Sequence, residues 1–355
     1  MSETVTPVAA QDRTPLLGWL RISGDSRALG QALGRQGREA VHRHLLPSAI
    51  WARITDPGHA PHLARMAATT RTHFPAIWAE IEGLAEGLAL PVDQVFAWNC
   101  RGDLLAAVPD GCTTLQLPGE TPVIAHNEDG LPFFRGHCFI AEAAPAQGAG
   151  FISFCYPGSI PGHTFAVART EAGGEMVQAV NNLRLTGIAP EIPRMVLGRA
   201  VIAMGSVTEA VALLRAAPPS GGFHFTLAEA GNPEVLSIEF GGGQASTRTV
   251  TAPALHANHA LHHPGGLAAQ IVTASSHDRQ ARGEALLTQG MRDPLGVLHD
   301  DGGPGLPILR QSPDDPDDEN TLATAVFHVG RDGVSWAIHD RPGGRTAYVR
   351  SAPGK

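Results

Sequence analysis

Apolar residues recur at helical spacing through the first third of the chain. Leu29, Leu33, Val41 and Leu45 fall on one face over residues 25–55. Leu63, Met66, Phe74, Ile77, Ile81, Leu84 and Leu88 do the same over residues 60–90. This spacing predicts amphipathic helices. Another helix is expected from Pro91-Val92-Asp93 through Val95, Trp98 and Leu105, since proline is favoured in a first helical turn. The first 108 residues therefore read as mainly helical, behind a polar segment, residues 1–15, expected to be disordered.

The period changes at Pro109. Alternating apolar and polar positions predict strands at 113–117 and 121–126, then at 139–144, 150–156, 164–169 and 176–181. Helical spacing returns over 193–204 and 207–217, with Ser206 and Glu209 as a capping box for the second. Strands follow at 223–229, 234–240 and 247–252. A helix is expected at 279–288, capped by Ser276 or Asp278. Residues 300–320 are rich in Pro, Gly and Asp and read as a solvated loop; strands at 321–328, 334–339 and 346–349 end the chain. Helices, strands, two helices and strands again predict an α+β fold. Two antiparallel sheets would stack face to face with helices outside, a four-layer αββα sandwich.

Composition narrows the partners more than the fold. With 355 residues, 43% of them hydrophobic, the chain can bury a large core as one domain or two. A formal charge of −8 and the lack of basic stretches interleaved with aromatics argue against nucleic acid. No apolar run is long enough to span a membrane or resembles a secretory signal, so a cytoplasmic protein is expected. The cysteines, Cys100, Cys112, Cys138 and Cys155, form no C-x-x-C pair and suggest neither a zinc framework nor a disulfide scaffold. His256, His259, His262 and His263 are grouped but lack the H-E-x-x-H pattern of a zinc hydrolase. The acidic run Asp314–Glu319 lacks the spacing and glycine of a calcium loop. No metal or organic cofactor is expected.

The densest chemistry lies in Asp110-Gly111-Cys112-Thr113-Thr114, between the helical and strand-rich regions. A Gly-Cys bond entering a strand suits self-cleavage. Gly111 leaves the scissile carbonyl unshielded, and the Cys112 thiol can attack it and then lose the acyl group to water. The new chain would begin at Cys112, whose α-amine can serve as base for its own thiol. A buried structural cysteine after a glycine looks the same in so short a motif. Three further segments carry amides or carboxylates at expected strand ends: His126-Asn127-Glu128-Asp129-Gly130, Asn181-Asn182-Leu183-Arg184-Leu185-Thr186-Gly187, and His256-Ala257-Asn258-His259.

Together these four segments, in order and spacing, resemble the acyl-coenzyme A:isopenicillin N acyltransferase family of self-processing N-terminal-nucleophile enzymes. The choloylglycine hydrolases are more distant relatives. The resemblance runs from about residue 20 to 350. It implies cleavage at Gly111–Cys112 into a helical α chain, 1–111, and a catalytic β chain, 112–355, that stay associated. It implies that Cys112 is the nucleophile, that Asp129 contacts its α-amine, that Asn258 is the oxyanion-hole amide and that Asn181 is a second amide, with Asn182 the alternative. Arg279 matches an arginine near the nucleophile, although an arginine in a first helical turn more often faces solvent. Thr113, Glu128 and Asn182 are candidate substrate contacts. Arg101 and Asp103 lie upstream, where relatives carry polar residues near the pocket.

The implied activity is hydrolysis or acyl transfer at a small-molecule amide through a thioester. The chain departs from the family in having Gly130 after Asp129, where an aromatic is usual, and Ala168-Arg169 where an Asn and a small turn are usual. Glu128 beside Asp129 suggests an aminoacyl amide with a cationic amine. Three alternatives remain: a papain-like thiol hydrolase using His259 with Cys112 or Cys155, a ligand-binding relative without activity, and a metal hydrolase on the His256–His263 group. Whether the protein is a homo-oligomer is left open by the sequence.

Overall fold

The computed structural model describes residues 14–106, 108–170, 173–341, 343 and 346–351. The expected disorder of residues 1–15 falls almost wholly outside them. Helices α1 (Ser26–Ala40), α2 (Ala49–Ile54), α3 (Ala60–His73), α4 (Pro75–Leu88), α5 (Val92–Asn99) and α6 (Arg101–Leu104) make up most of the N-terminal region. Residues 60–90 form two helices, not one, because Pro75 lacks the N–H a continuous helix needs and Phe74 leaves helical geometry. α1 and α4 pack almost backbone to backbone. A Cβ on Gly30 would lie 1.9 Å from the Glu80 carbonyl, and one on Gly87 would lie 2.4 Å from that of Gln31.

The strands form two stacked sheets. The eight-stranded sheet runs β1 (Gly18–Gly24), β4 (Phe139–Pro145), β5 (Phe151–Cys155), β6 (Ala166–Arg169), β7 (Glu175–Leu183), β8 (Gly222–Glu229), β9 (Val235–Gly241) and β10 (Gln244–Thr249). The six-stranded sheet runs β11 (Ala254–His256), β2 (Asp110–Leu117), β3 (Val123–Gly130), β12 (Asn320–Val329), β13 (Val334–His339) and β14 (Thr346–Arg350). All neighbours are antiparallel except β1 and β4, which run parallel. β1 was not expected: it lies ahead of the helices yet completes the edge of a sheet built from the rest of the chain.

Helices α7 (Arg194–Val201) and α8 (Val207–Ala216) lie with α1 and α4 outside the larger sheet. Helices α9 (Ala274–Thr288) and α10 (Pro294–Leu298) cover the smaller one, where Leu115, Leu255, Leu286 and Leu298 form an apolar cluster. The αββα layering therefore stands. Between the sheets Phe327, opposite Ile124 on the ladder, packs against Phe165, while Val180 and Phe225 lie on the other face of the larger sheet. Polar bonds join the two sheets near β2: Thr114 donates to Asn181 Oδ1 at 2.6 Å and Gln116 to Thr226 at 2.5 Å. No helix among the described residues is long and apolar enough to cross a membrane.

Candidate active site

β2 begins at Asp110, so the Gly111–Cys112 bond lies inside a paired strand. Across the ladder Gly111 faces Asp129, Cys112 faces Glu128 and Thr114 faces His126. Side chains alternate along a strand, and this divides the site into two faces. Cys112 and Thr114 point with His126 and Glu128 toward the other sheet. Thr113 and Asp129 point outward, beneath α9. The segment His126–Gly130 is thus the paired second half of β3, which ends at Gly130 and not at residue 126. Glu128 and Asp129, adjacent in sequence, serve opposite faces.

On the inner face Cys112 Sγ lies 3.9 Å from Glu128 Oε2. His126 Nε2 is 3.0 Å from the same oxygen, and Tyr156 donates to Glu128 Oε1 at 2.7 Å. All four side chains are buried. Burial holds the His126 imidazole neutral, pushing its pKa down to about 3. Among the described residues, Cys112, His126 and Glu128 also form the one group with ligand-type atoms close enough to share a metal ion, within 4.8 Å of one another. His256 is instead paired with Glu239 at 2.8 Å and stacked on His224.

On the outer face Arg279 is the organising side chain. α9 starts at Ala274, capped by Thr273, whose hydroxyl accepts from the Ser276 N–H. The expected caps, Ser276 and Asp278, are therefore inside the helix, and Arg279 sits in its second turn rather than its first. There it is fully buried and does not face solvent. It donates to the Cys112 carbonyl at 2.5 Å, to Thr113 Oγ1 at 2.8 Å, to Asn258 Oδ1 at 2.6 Å and to Ser275 Oγ at 3.0 Å. Burial lowers its pKa and the neighbouring Asp129 opposes that shift. Asn258 Oδ1 also accepts from the Cys112 N–H at 2.9 Å, while its Nδ2 donates to the Asn182 carbonyl at 3.2 Å.

Asp129 accepts from Thr321 at 2.6 Å, while its buried Oδ2 has no hydrogen-bond partner among the described residues. Desolvation raises its pKa, and Arg279 moderates the rise. Asn181 lies one step further from the thiol, bonded to Thr114, His224 and the His256 carbonyl. The Asn182 amide oxygen accepts from Arg194. Arg101 lines a crevice with Pro109 and Tyr156, while Asp103 is bonded across to the other side of the site. Asp103 accepts from the N–H groups of Arg194 and Gly221, and burial lifts its pKa to about 6. His259 is bonded to Ser276, and its pKa is pushed down to about 4 by burial. Burial drives the Cys155 thiol far above its ordinary pKa.

Several side chains here carried no role in the sequence reading. His126 and Tyr156 are found only through strand pairing and the contact between sheets. The loop at 300–320 is not simply solvated: Arg310 is fully buried and paired with Asp315. Glu319, last in the acidic run, reaches inward to pair with Arg184 at 3.1 Å. A Cβ on Gly111 would fall 2.3 Å from Glu319 Oε2.

The family model of acyl-coenzyme A:6-aminopenicillanic acid acyl-transferase matches residues 117–342. The chain belongs to this family. The match covers Asp129, Asn181, Asn258 and Arg279, and begins after Cys112. Membership in the acyl-transferase family makes this chain an enzyme of the acyltransferase or hydrolase type, and agrees with the two-sheet sandwich. No curated protein matches the chain.

Proposed function

We propose that this protein cuts itself between Gly111 and Cys112 and then uses the freed Cys112 as the nucleophile of a small-molecule amide hydrolase or acyltransferase. The observation that carries this reading is the convergence on one bond. Cys112 Sγ lies beside Glu128, its N–H donates to Asn258 and its carbonyl accepts from Arg279. Any buried residue needs partners for its backbone groups, but a merely structural cysteine has no need of a carboxylate beside its sulfur.

In turnover the thiolate attacks the amide carbonyl, a thioester forms on Cys112, and the amine leaves. Water or a second amine then takes the acyl group. The α-amine of Cys112 is the base, and the unpartnered Oδ2 of Asp129 is a fitting partner for its ammonium form. Arg279 fixes the Asn258 oxygen toward the Cys112 nitrogen. Asn258 is the expected oxyanion donor once the α chain's C-terminal residues move away, and one such donor is worth roughly 3 kcal/mol. One nucleophile serves both reactions, so the acyl part of the substrate takes the place of residues 108–111. A crevice there is lined by Ile50, Trp98, Arg101, Leu131, Phe134 and Tyr156, which suits an acyl group with an apolar portion and leaves one charged side chain in its wall. Glu128 is already bonded to His126 and Tyr156, so its geometry lends no support to a cationic amine as the substrate.

The test is intact-mass spectrometry of the purified protein beside Cys112→Ala. Two wild-type fragments, the larger beginning at Cys112, with an uncut variant, are expected. A single uncut wild-type chain that turns over amides would point instead to an internal thiol hydrolase.

A further inference from the structure

Self-cleavage poses a problem that turnover does not. Before the Gly111–Cys112 bond breaks, the Cys112 nitrogen is an amide and cannot act as a base. Another group must take the thiol proton, and the inner face of the site supplies one.

The hydrogen bonds fix where the protons lie. Asn181 Nδ2 donates to the His256 carbonyl at 3.0 Å, so Asn181 Oδ1 is the atom turned toward Thr114. That oxygen can only accept, so Thr114 donates to it. The Thr114 oxygen is then the acceptor for His126 Nδ1, 2.8 Å away, and Nδ1 carries the hydrogen. A neutral His126 must therefore present a lone pair at Nε2, which faces Glu128 Oε2 at 3.0 Å. One proton lies between these two atoms. Tyr156 holds the other carboxyl oxygen. The result is a fixed Glu128–His126 pair with Oε2 3.9 Å from the sulfur.

We propose that the Glu128–His126 pair is the general base of self-cleavage, a role separate from that of the α-amine in turnover. The inference rests on the Gly111–Cys112 cut proposed above. As Sγ attacks the Gly111 carbonyl carbon, the thiol proton passes to Glu128 Oε2 while the proton already there passes to His126 Nε2, and the imidazolium, disfavoured by burial, lasts only until the leaving nitrogen takes a proton. The C–S bond forms and the carbonyl becomes an oxyanion. When the Gly111–Cys112 C–N bond breaks, the departing nitrogen takes up one proton and the pair returns to its starting state. Water then cleaves the thioester, giving the Gly111 carboxyl group and the Cys112 thiol. Glu128 touches the reacting sulfur and is catalytic; His126 acts through Glu128 and positions it.

The experiment follows precursor conversion by intact mass in wild type, Glu128→Gln and His126→Gln, with and without hydroxylamine, which cleaves thioesters. Thermal melts report folding. The expected result is conversion at least 50-fold slower in Glu128→Gln and at least tenfold slower in His126→Gln, with no acceleration by hydroxylamine, because no thioester forms. Conversion within twofold of wild type in both variants would overturn the inference while leaving the self-cleavage reading intact. So would rapid cutting of Glu128→Gln by hydroxylamine, since the thioester would then have formed without Glu128. Should Glu128→Gln fail to fold, His126→Gln decides the matter by the same two criteria. An uncut wild-type chain sinks both proposals together, whatever the variants do.

Discussion

Gly111 has no room for a side chain. The position its Cβ would take is held by Glu319 Oε2, and the Asp129 Cβ would lie 3.3 Å away. Glu319 cannot withdraw without giving up its ion pair with Arg184, which would keep only a bond to the Val108 carbonyl among the described residues. Gly111→Ala is therefore expected to convert at least tenfold more slowly than wild type, read by intact mass over time; an unchanged rate would show that Glu319 yields freely. Glu319 itself should mark the pH dependence of stability. Burial disfavours its charged form and lifts its pKa to about 7 from 4.5. The folded chain thus holds this proton more tightly than the unfolded chain. The advantage is complete below about pH 4.5 and is lost as pH rises through about 7. The Tm difference between Glu319→Gln and wild type should move in favour of the variant over that range. A difference that stays constant with pH would mean that the carboxyl group does not titrate there. Cys112, the amides and Arg279 could all be picked out in the sequence as members of a motif, and the structure brings Cys112, Asn258 and Arg279 together. Glu319 and His126 could not, because nothing in a one-dimensional pattern says that residue 319 reaches the chain at residue 111.

Element boundaries decided which side chains could meet. Reading β3 as ending at residue 126 left Glu128 and Asp129 together in a loop; extending it to Gly130 sends them to opposite faces of a sheet. Reading α9 from Arg279 left that arginine at a helix entrance; starting it at Ala274 buries it against Cys112. Periodicity located both elements. It misplaced their ends because strand pairing and a threonine cap, not hydrophobic spacing, set those ends. Thr273→Ala should lower stability by about 1 kcal/mol in urea unfolding, the usual cost of a lost cap. It should also slow precursor conversion, because the cap sets the start of the helix that carries Arg279. Loss of stability without slower conversion would separate the cap from the site.

At the scale of the molecule, cleavage would leave two chains joined only by packing. The sequence reading placed helices against sheets and expected the fragments to hold together, but did not show what does the holding. Glu80 on α4 is paired with Arg199 on α7, both buried. Asp103 of the helical region caps the Arg194 and Gly221 N–H groups on the other side of the cut. Removing one member of a buried pair strands its partner's charge, at about 3–5 kcal/mol. Glu80→Ala should therefore release the α fragment at protein concentrations where cut wild type runs as one species on gel filtration. Co-elution of the variant's fragments would place the holding energy elsewhere, in the close packing of α1 on α4 and of β1 on β4.

That last contact carries a consequence beyond catalysis. β1 is supplied by the part of the chain ahead of the cut, and it covers the backbone of β4 from Phe139 to Pro145. β4 is largely apolar and buried. A β chain parted from its companion would present this strand as an open edge, the kind of surface on which sheets of separate molecules join and precipitate. The N-terminal fragment would then act as a permanent chaperone for its partner chain, needed for solubility long after its peptide bond to Cys112 has gone.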